Sequence, residues 1–280
     1  MRLSLSTVRR SDWPAAVRAG LPHSRAFELA CPDPALPASP ADLRNLARLK
    51  STHGLSYSLH APFRRLDVAA ADRALRRESC RLYHAALEVA ATLGAELVVM
   101  HPALVGTLAW QALPEGERRA LRSRELESFH HFAERAGRLR VRIGLENMPG
   151  FRAARDTRWL RAVHDAVDSP WLGYTVDVGH AHSSGIPAAL LVRELGPRVW
   201  HVHVHDNSGQ GDEHRAVGEG SVDWVSLVRA LAETGFAGLV TDEALGLDAQ
   251  LRGRRRLGRI LAGLPRPLGQ IPSPAEKRAE

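Results

Sequence analysis

Residues 172–205, LGYTVDVGHAHSSGIPAALLVRELGPRVWHVHVH, contain two short β-rich runs, 172–177 and 198–205, flanking a longer stretch of helical character. The first run ends in Asp177, and the second carries histidines at alternate positions, His201, His203 and His205. The same alternation extends in both directions. Strands are predicted near 2–6 (RLSLS), 26–30 (AFELA), 55–60 (LSYSLH), 96–101 (ELVVMH), 141–146 (VRIGLE) and 238–243 (GLVTDE). The stretches between them carry apolar residues at helical spacing, such as Leu75, Leu82, Ala86, Val89 and Leu93. Asp42, Asp72 and Asp156 read as helix caps. Eight strand–helix units of one polarity, with no break in composition, describe a single (β/α)8 TIM barrel over residues 1–263. Residues 264–280, Pro-rich and polar, read as a disordered tail.

The 280 residues are 44% hydrophobic and 25% charged, which excludes wholesale disorder and fibrous architectures. No apolar run approaches the ~20 residues that cross a bilayer, and MRLSLSTVRRSDW lacks the apolar core of a secretory signal. Two cysteines, Cys31 and Cys80, cannot build a disulfide framework, so a reducing cytoplasm is the expected setting. The net charge of +7 is mostly local: residues 247–280 carry +5, leaving +2 for everything before them. Arginine outnumbers lysine 36 to 2. A basic end can meet phosphate or an acidic surface, but no continuous nucleic-acid-binding face is evident upstream of it.

Five predicted strands end in a side chain able to bind a metal: His60, His101, Glu146, Asp177 and Glu243. The strand with alternating histidines is a sixth. In a barrel the C-terminal strand ends meet over one mouth, where catalytic groups gather. One such histidine is an ordinary core residue; six strands contributing His, Asp or Glu at the same structural position point to a metal site at that mouth.

The segments that carry these residues are SLHAPF (58–63), VMHPA (99–103), LENMPG (145–150), DVGHAHSSG (177–185), HVHDN (203–207), DEHRAVGEG (212–220) and TDEA (241–244). In them the chain resembles the xylose isomerase-like TIM barrels, and within those the endonuclease IV branch. The resemblance implies nine metal ligands: His60, His101, Glu146, Asp177, His180, His203, Asp212, His214 and Glu243. The His–x–x–Asp pattern, 203–206, selects His203 over its neighbours. Two to three divalent ions per chain follow, Zn²⁺ or Mn²⁺ with Fe²⁺ also suited to mixed imidazole and carboxylate donors. His60, His101 and Glu146 would hold one ion, Glu146, Asp177, His203 and Glu243 a second, and His180, Asp212 and His214 a third. Ions about 3.5–4 Å apart can activate a water and neutralise a phosphoryl group.

The expected function is therefore a metal-dependent phosphoesterase acting on abasic DNA or a smaller phosphorylated molecule. The alternative is a sugar or sugar-phosphate isomerase or epimerase, which DVGHAHSSG and SVDW (221–224) resemble more closely. That reaction needs only Glu146, Asp177, His203 and Glu243, with Glu146 and Glu243 as the catalytic proton carriers. Lys50, in a helical stretch, and Lys277, in the tail, are the only lysines and neither suits an acid–base role. Phe63, His182, His205 and Arg215 are candidate substrate contacts. Glu28 reads as a contact to substrate or to a ligand, His201 as filling the barrel below His203, and Glu219 as orienting the loop that bears His214.

Overall fold

A computed structural model describes residues 1–7, 12–31, 39–103, 107–149 and 157–263. All eight expected strands form: β1 (Arg2–Ser6), β2 (Ala26–Ala30), β3 (Ser56–His60), β4 (Leu97–Met100), β5 (Arg142–Glu146), β6 (Leu172–Asp177), β7 (Val199–Val204) and β8 (Leu239–Asp242). Each pairs in parallel with its sequence neighbour, and β8 closes on β1 through Leu3↔Val240 and Ser4↔Thr241. The result is a closed eight-stranded parallel barrel wrapped by helices, the (β/α)8 fold. The helices are α1 (Trp13–Gly20), α2 (Pro40–His53), α3 (Arg73–Leu93), α4 (Thr107–Ala112), α5 (Glu115–Leu139), α6 (Thr157–Val167), α7 (Val178–Ser183), α8 (Ala188–Leu195), α9 (Trp224–Glu233) and α10 (Leu247–Gly263). None among the described residues is long and apolar enough to cross a membrane. The expected tail and Asp156 lie outside the described residues.

Period-two alternation divides the strands into two chemistries. Leu59, Ile143, Leu145, Val176, Val202 and Val240 are buried and belong to the apolar layer between barrel and helices. The alternate positions are polar and equally buried: Ser4, Glu28, Ser58, Thr175, His201, His203 and Thr241. The barrel interior is thus a polar column, whereas such barrels are ordinarily filled by branched apolar residues.

Local capping corrects one sequence expectation. Ser39, rather than Asp42, is the N-cap of α2; Asp42 is the reciprocal partner three residues on, closing a capping box with the Ser39 backbone N–H. Asp72 caps α3 as expected, accepting from the Leu75 N–H. Leu75 itself is exposed because it sits in the first turn, while Leu82, Ala86 and Leu93 face the barrel. The α2 helix ends at Gly54 in left-handed conformation, φ 62°. Lys50 donates to the Leu93 carbonyl at 3.0 Å and so caps the end of α3, well away from the mouth chemistry.

Glu125 on α5 is a buried carboxyl whose burial pushes its pKa up to about 7. It accepts from the Ala103 N–H at 2.8 Å and borders a cavity of about 470 Å³ between α5 and α6. Because the folded chain holds this proton more tightly than the unfolded one, the native state loses stability as pH rises from about 4.5 to about 7, and the cost is constant above that. Glu125→Gln keeps the acceptor oxygen and removes the cost. It is expected to stabilise the protein by on the order of 3 kcal/mol at about pH 8, with little effect near pH 5, read by urea unfolding at both values. Equal effects at the two pH values would show that the carboxyl is not held protonated.

Candidate metal centre

Three carboxylates converge on one ring nitrogen at the barrel mouth. Nδ1 of His203 lies 3.0 Å from Glu146 Oε1, 3.7 Å from Asp177 Oδ2 and 3.8 Å from Glu243 Oε2. The other Glu146 oxygen, Oε2, is 3.3 Å from His60 Nε2 and 3.0 Å from His101 Nε2. Beside this centre, Asp212 Oδ2 is 3.5 Å from His180 Nε2 and 3.3 Å from His214 Nε2, and its Oδ1 is 3.5 Å from His205 Nε2. All nine candidate ligands named from the sequence therefore share one mouth. His205, expected at substrate, instead joins His180, Asp212 and His214 in a four-residue group whose donor atoms lie within 4.8 Å of one another.

The donors fit divalent cations. Glu146 Oε2 and Asp177 Oδ2 are buried with no hydrogen-bonded partner, an arrangement costly for an anion unless a cation faces it. Several imidazoles are already oriented. A carbonyl can only accept, so the rings of His60, His180 and His214 each donate Nδ1–H: to Ala61 O at 2.9 Å, Asn147 O at 2.9 Å and Glu243 O at 3.0 Å. Each ring then turns Nε2 toward the mouth, the nitrogen that would bind a metal once it carries no proton.

The backbone explains the placement. Asp177 ends β6 and is the N-cap of α7; its Oδ1 accepts from the His180 N–H, leaving Oδ2 for the centre. Asn147, which the sequence reading missed, clamps the ends of β5 and β6 by exchanging two 2.8 Å bonds with the Asp177 backbone. Asp206, the Asp of the His–x–x–Asp pattern, pins the following loop. It accepts from the N–H groups of Asn207, Gly218 and Val222 and from Trp224 Nε1. Glu219 adds a 3.0 Å pair with Arg252 on α10. Asp212 and His214 are thus held on an ordered loop, His214 itself in the left-handed region at φ 49°.

Electrostatics follow from the crowding. Burial pushes the Glu146 carboxyl up, but His203, His101 and His60 outweigh it and hold the group well below its usual range. Burial lowers His101 to about 4. Burial opposes protonation of His180 and His214 too, yet Asp177 and Asp212 for the first, and Asp212 and Glu243 for the second, raise them to about 10 and about 9. Burial raises Glu243.

A cavity of about 240 Å³ opens over the centre, with His60, His101, Glu146 and Glu243 below and Phe63, Arg64, Met148, Pro149 and Leu245 around it. The Phe63 ring packs 5.1 Å from His60 and 5.4 Å from His101. Two expected substrate contacts lie elsewhere. His182 Nε2 reaches Ser221 Oγ at 2.9 Å and ties α7 to the loop, and Arg215 pairs with Glu213 at 3.0 Å. Arg64 went unnoticed among 36 arginines because nothing in its spacing separates it from surface charge.

Gly179 leaves the space that the His205 ring fills: a Cβ there would meet the ring at 1.9 Å. Gly179→Ala is expected to expel the ring, cost roughly 1–3 kcal/mol in stability and weaken ion binding at the His180–His205–Asp212–His214 group alone. Denaturant unfolding and metal analysis check this; unchanged values for both would mean the ring moves aside freely.

Residues 15–254 match the family described as Xylose isomerase-like TIM barrel. An uncharacterized protein of Methanocaldococcus jannaschii is 31% identical over 228 residues, 80% of this chain and 76% of that protein. Fructoselysine 3-epimerase of Escherichia coli O157:H7 is 26% identical over 207 residues, 69% of this chain and 70% of that one. A solved structure of a D-tagatose 3-epimerase-like protein superposes with a TM-score of 0.84 at 27% identity, covering 94% of this chain and 97% of its own.

Proposed function

Because the chain belongs to the xylose isomerase-like TIM barrel family, we propose that it is a divalent-metal-dependent epimerase or isomerase of a sugar or sugar phosphate. The observation that carries this is the convergence of Glu146, Asp177 and Glu243 on His203 Nδ1 beneath a small cavity. This reverses the order expected from the sequence, where phosphoester hydrolysis came first. Fructoselysine 3-epimerase and the D-tagatose 3-epimerase-like protein both bear epimerase names, and a carboxylate-rich centre is what a carbon-acid reaction needs.

Glu146, Asp177, His203 and Glu243 would hold the catalytic cation, Mn²⁺ suiting so many oxygen donors, with Zn²⁺ and Fe²⁺ as alternatives. That cation would polarise the substrate carbonyl and acidify the neighbouring C–H. One of Glu146 and Glu243 takes the proton as the C–H electron pair moves toward the carbonyl oxygen. The other returns a proton to the opposite face, inverting the carbon. Phe63, Met148 and Leu245 give the cavity an apolar wall, and Arg64 adds a cation to its lining.

A second reading, phosphoester hydrolysis at two or three ions, is favoured by one specific observation. His60 and His101 on Glu146, and the four-residue group around Asp212, supply more donors than one cation uses. The test is a panel of ketoses and ketose phosphates in deuterium oxide, beside a phosphodiester panel, using metal-loaded protein. Deuterium appearing beside a ketose carbonyl supports the proposal. Phosphodiester cleavage without such exchange overturns it.

A further inference from the structure

Glu28 lies on β2, below the mouth, in a buried group with His201 and His203 whose donor atoms lie within 4.8 Å of one another. Its side chain is fully buried, and it meets three polar partners from three other positions. Ser58 Oγ–H donates to Oε2 at 3.0 Å. His201 Nε2 lies 2.8 Å from the same oxygen, and Thr241 Oγ1 lies 3.0 Å from that nitrogen in turn. Oε1 faces His203 Nε2 at 3.0 Å. Neither Oε1 nor His203 Nε2 makes an aligned hydrogen bond among the described residues, and the two buried atoms face each other at 3.0 Å.

The two faces of the His203 ring edge are thereby assigned. Nδ1 points at Glu146, Asp177 and Glu243, and Nε2 points down the barrel at Glu28. Nδ1 makes its own aligned 3.0 Å bond to Glu146 Oε1. An ion held among the three mouth carboxylates would need the Nδ1 lone pair, however, and Glu28, which only accepts when ionised, would then face a ring proton on Nε2. That form leaves the Nδ1 lone pair for the mouth. The ring has no backbone carbonyl to do this job, unlike His60, His180 and His214, whose Nδ1–H groups all find one.

We propose that Glu28 is the positioning residue of the central cation site, fixing the His203 ring through Nε2 so that Nδ1 faces Glu146, Asp177 and Glu243. The inference rests on the central site of the proposed function and deepens it. Glu28 touches neither substrate nor ion. It sets the orientation and basicity of the one imidazole in a site otherwise made of carboxylates, a role whose loss elsewhere costs ten- to a hundredfold in metal affinity. His201 and Ser58 hold the second Glu28 oxygen and keep the carboxylate from turning away. The alternation of His201 and His203 on one strand face then has a use, since the lower ring braces the acid that orders the upper one.

The test is a zinc titration followed by the ring ¹⁵N resonances of His203, comparing the parent protein, Glu28→Gln and Ser58→Ala. In the zinc-loaded parent, Nε2 is expected to carry the proton and Nδ1 to show the shift of a metal-bound nitrogen. Glu28→Gln is nearly isosteric but cannot supply the negative charge. Its His203 midpoint for zinc is expected to rise ten- to a hundredfold while the His180 and His214 resonances titrate as in the parent. Ser58→Ala, which loses a bond in the same buried group without touching His203, is expected to move the midpoint less than about threefold. Equal midpoints for the parent and Glu28→Gln overturn the inference while leaving the metal centre standing. A zinc-loaded parent with its proton on Nδ1 overturns it without any variant, so the test survives a substitution that fails to fold. A parent protein in which His203 never responds to zinc overturns the central site and this inference together.

Discussion

Glu146→Gln is expected to abolish proton exchange at the substrate carbon, by on the order of 10⁴-fold, and to deplete the mouth of metal. The magnitude follows from how many partners share this one carboxylate. Its two oxygens lie within 3.6 Å of nitrogens on His60, His101, His180 and His203. A glutamine of the same shape supplies no charge, and its amide N–H₂, where it turns toward a cation, is repelled by it. Two contributions are lost at once: a proton carrier, ordinarily worth 10²–10⁴ in rate, and a donor oxygen for the ion that acidifies the substrate. The barrel should still form, because the apolar layer between strands and helices does not include this residue. Circular dichroism, metal analysis and the deuterium-exchange assay read the three consequences separately. A variant with full metal content and full exchange would show that Glu146 is only a neighbour of the chemistry.

The eight strands and the mouth residues were legible because the signal is repeated. A short apolar run that stops at His, Asp or Glu is uninformative once, but His60, Glu146 and Asp177 each close a strand, and His101 and Glu243 each follow one by a single residue. Alternation also placed His201 below His203. What alternation cannot supply is the partner across the barrel axis. That Glu28 meets His201 and His203 depends on the closure and register of β2, β3, β7 and β8, which no local pattern encodes. The same limit explains His205. Its place with His180, Asp212 and His214 depends on Gly179 having no side chain and on a loop pinned by Asp206, both features of three-dimensional contact. The choice between hydrolysis and epimerisation was beyond reach for a different reason. Glu146, Asp177, His203 and Glu243 serve both, and the loops that decide the substrate are read only as shape.

Stripping the metal with a chelator and returning it stepwise is expected to remove all activity, then restore it with the first ion bound. The central site has three carboxylates and one imidazole, whereas the outer group has one carboxylate and three imidazoles, two of them protonated in the metal-free protein at neutral pH. Burial opposes protonation of His203, but Glu243, Glu28 and Glu146 hold it well above its usual range too. The centre thus sheds one ring proton on binding an ion and the outer group two, from His180 and His214. The outer group therefore fills later near pH 7 and gains on the centre as pH rises toward 9 to 10. The first ion should therefore settle among Glu146, Asp177, His203 and Glu243. Stability follows occupancy: an ion at about a thousand times its dissociation constant adds about 4 kcal/mol, on the order of 10 °C in Tm for a barrel of this size. Epimerisation needs the first ion alone. Asp212→Asn combined with His214→Ala should then lower the total metal content but leave the deuterium-exchange rate within about threefold, since the outer group holds no proton carrier. If the restored activity waits for a second or third equivalent, or vanishes in the double variant together with phosphodiester cleavage, the chemistry belongs to the multi-ion reading and epimerisation falls.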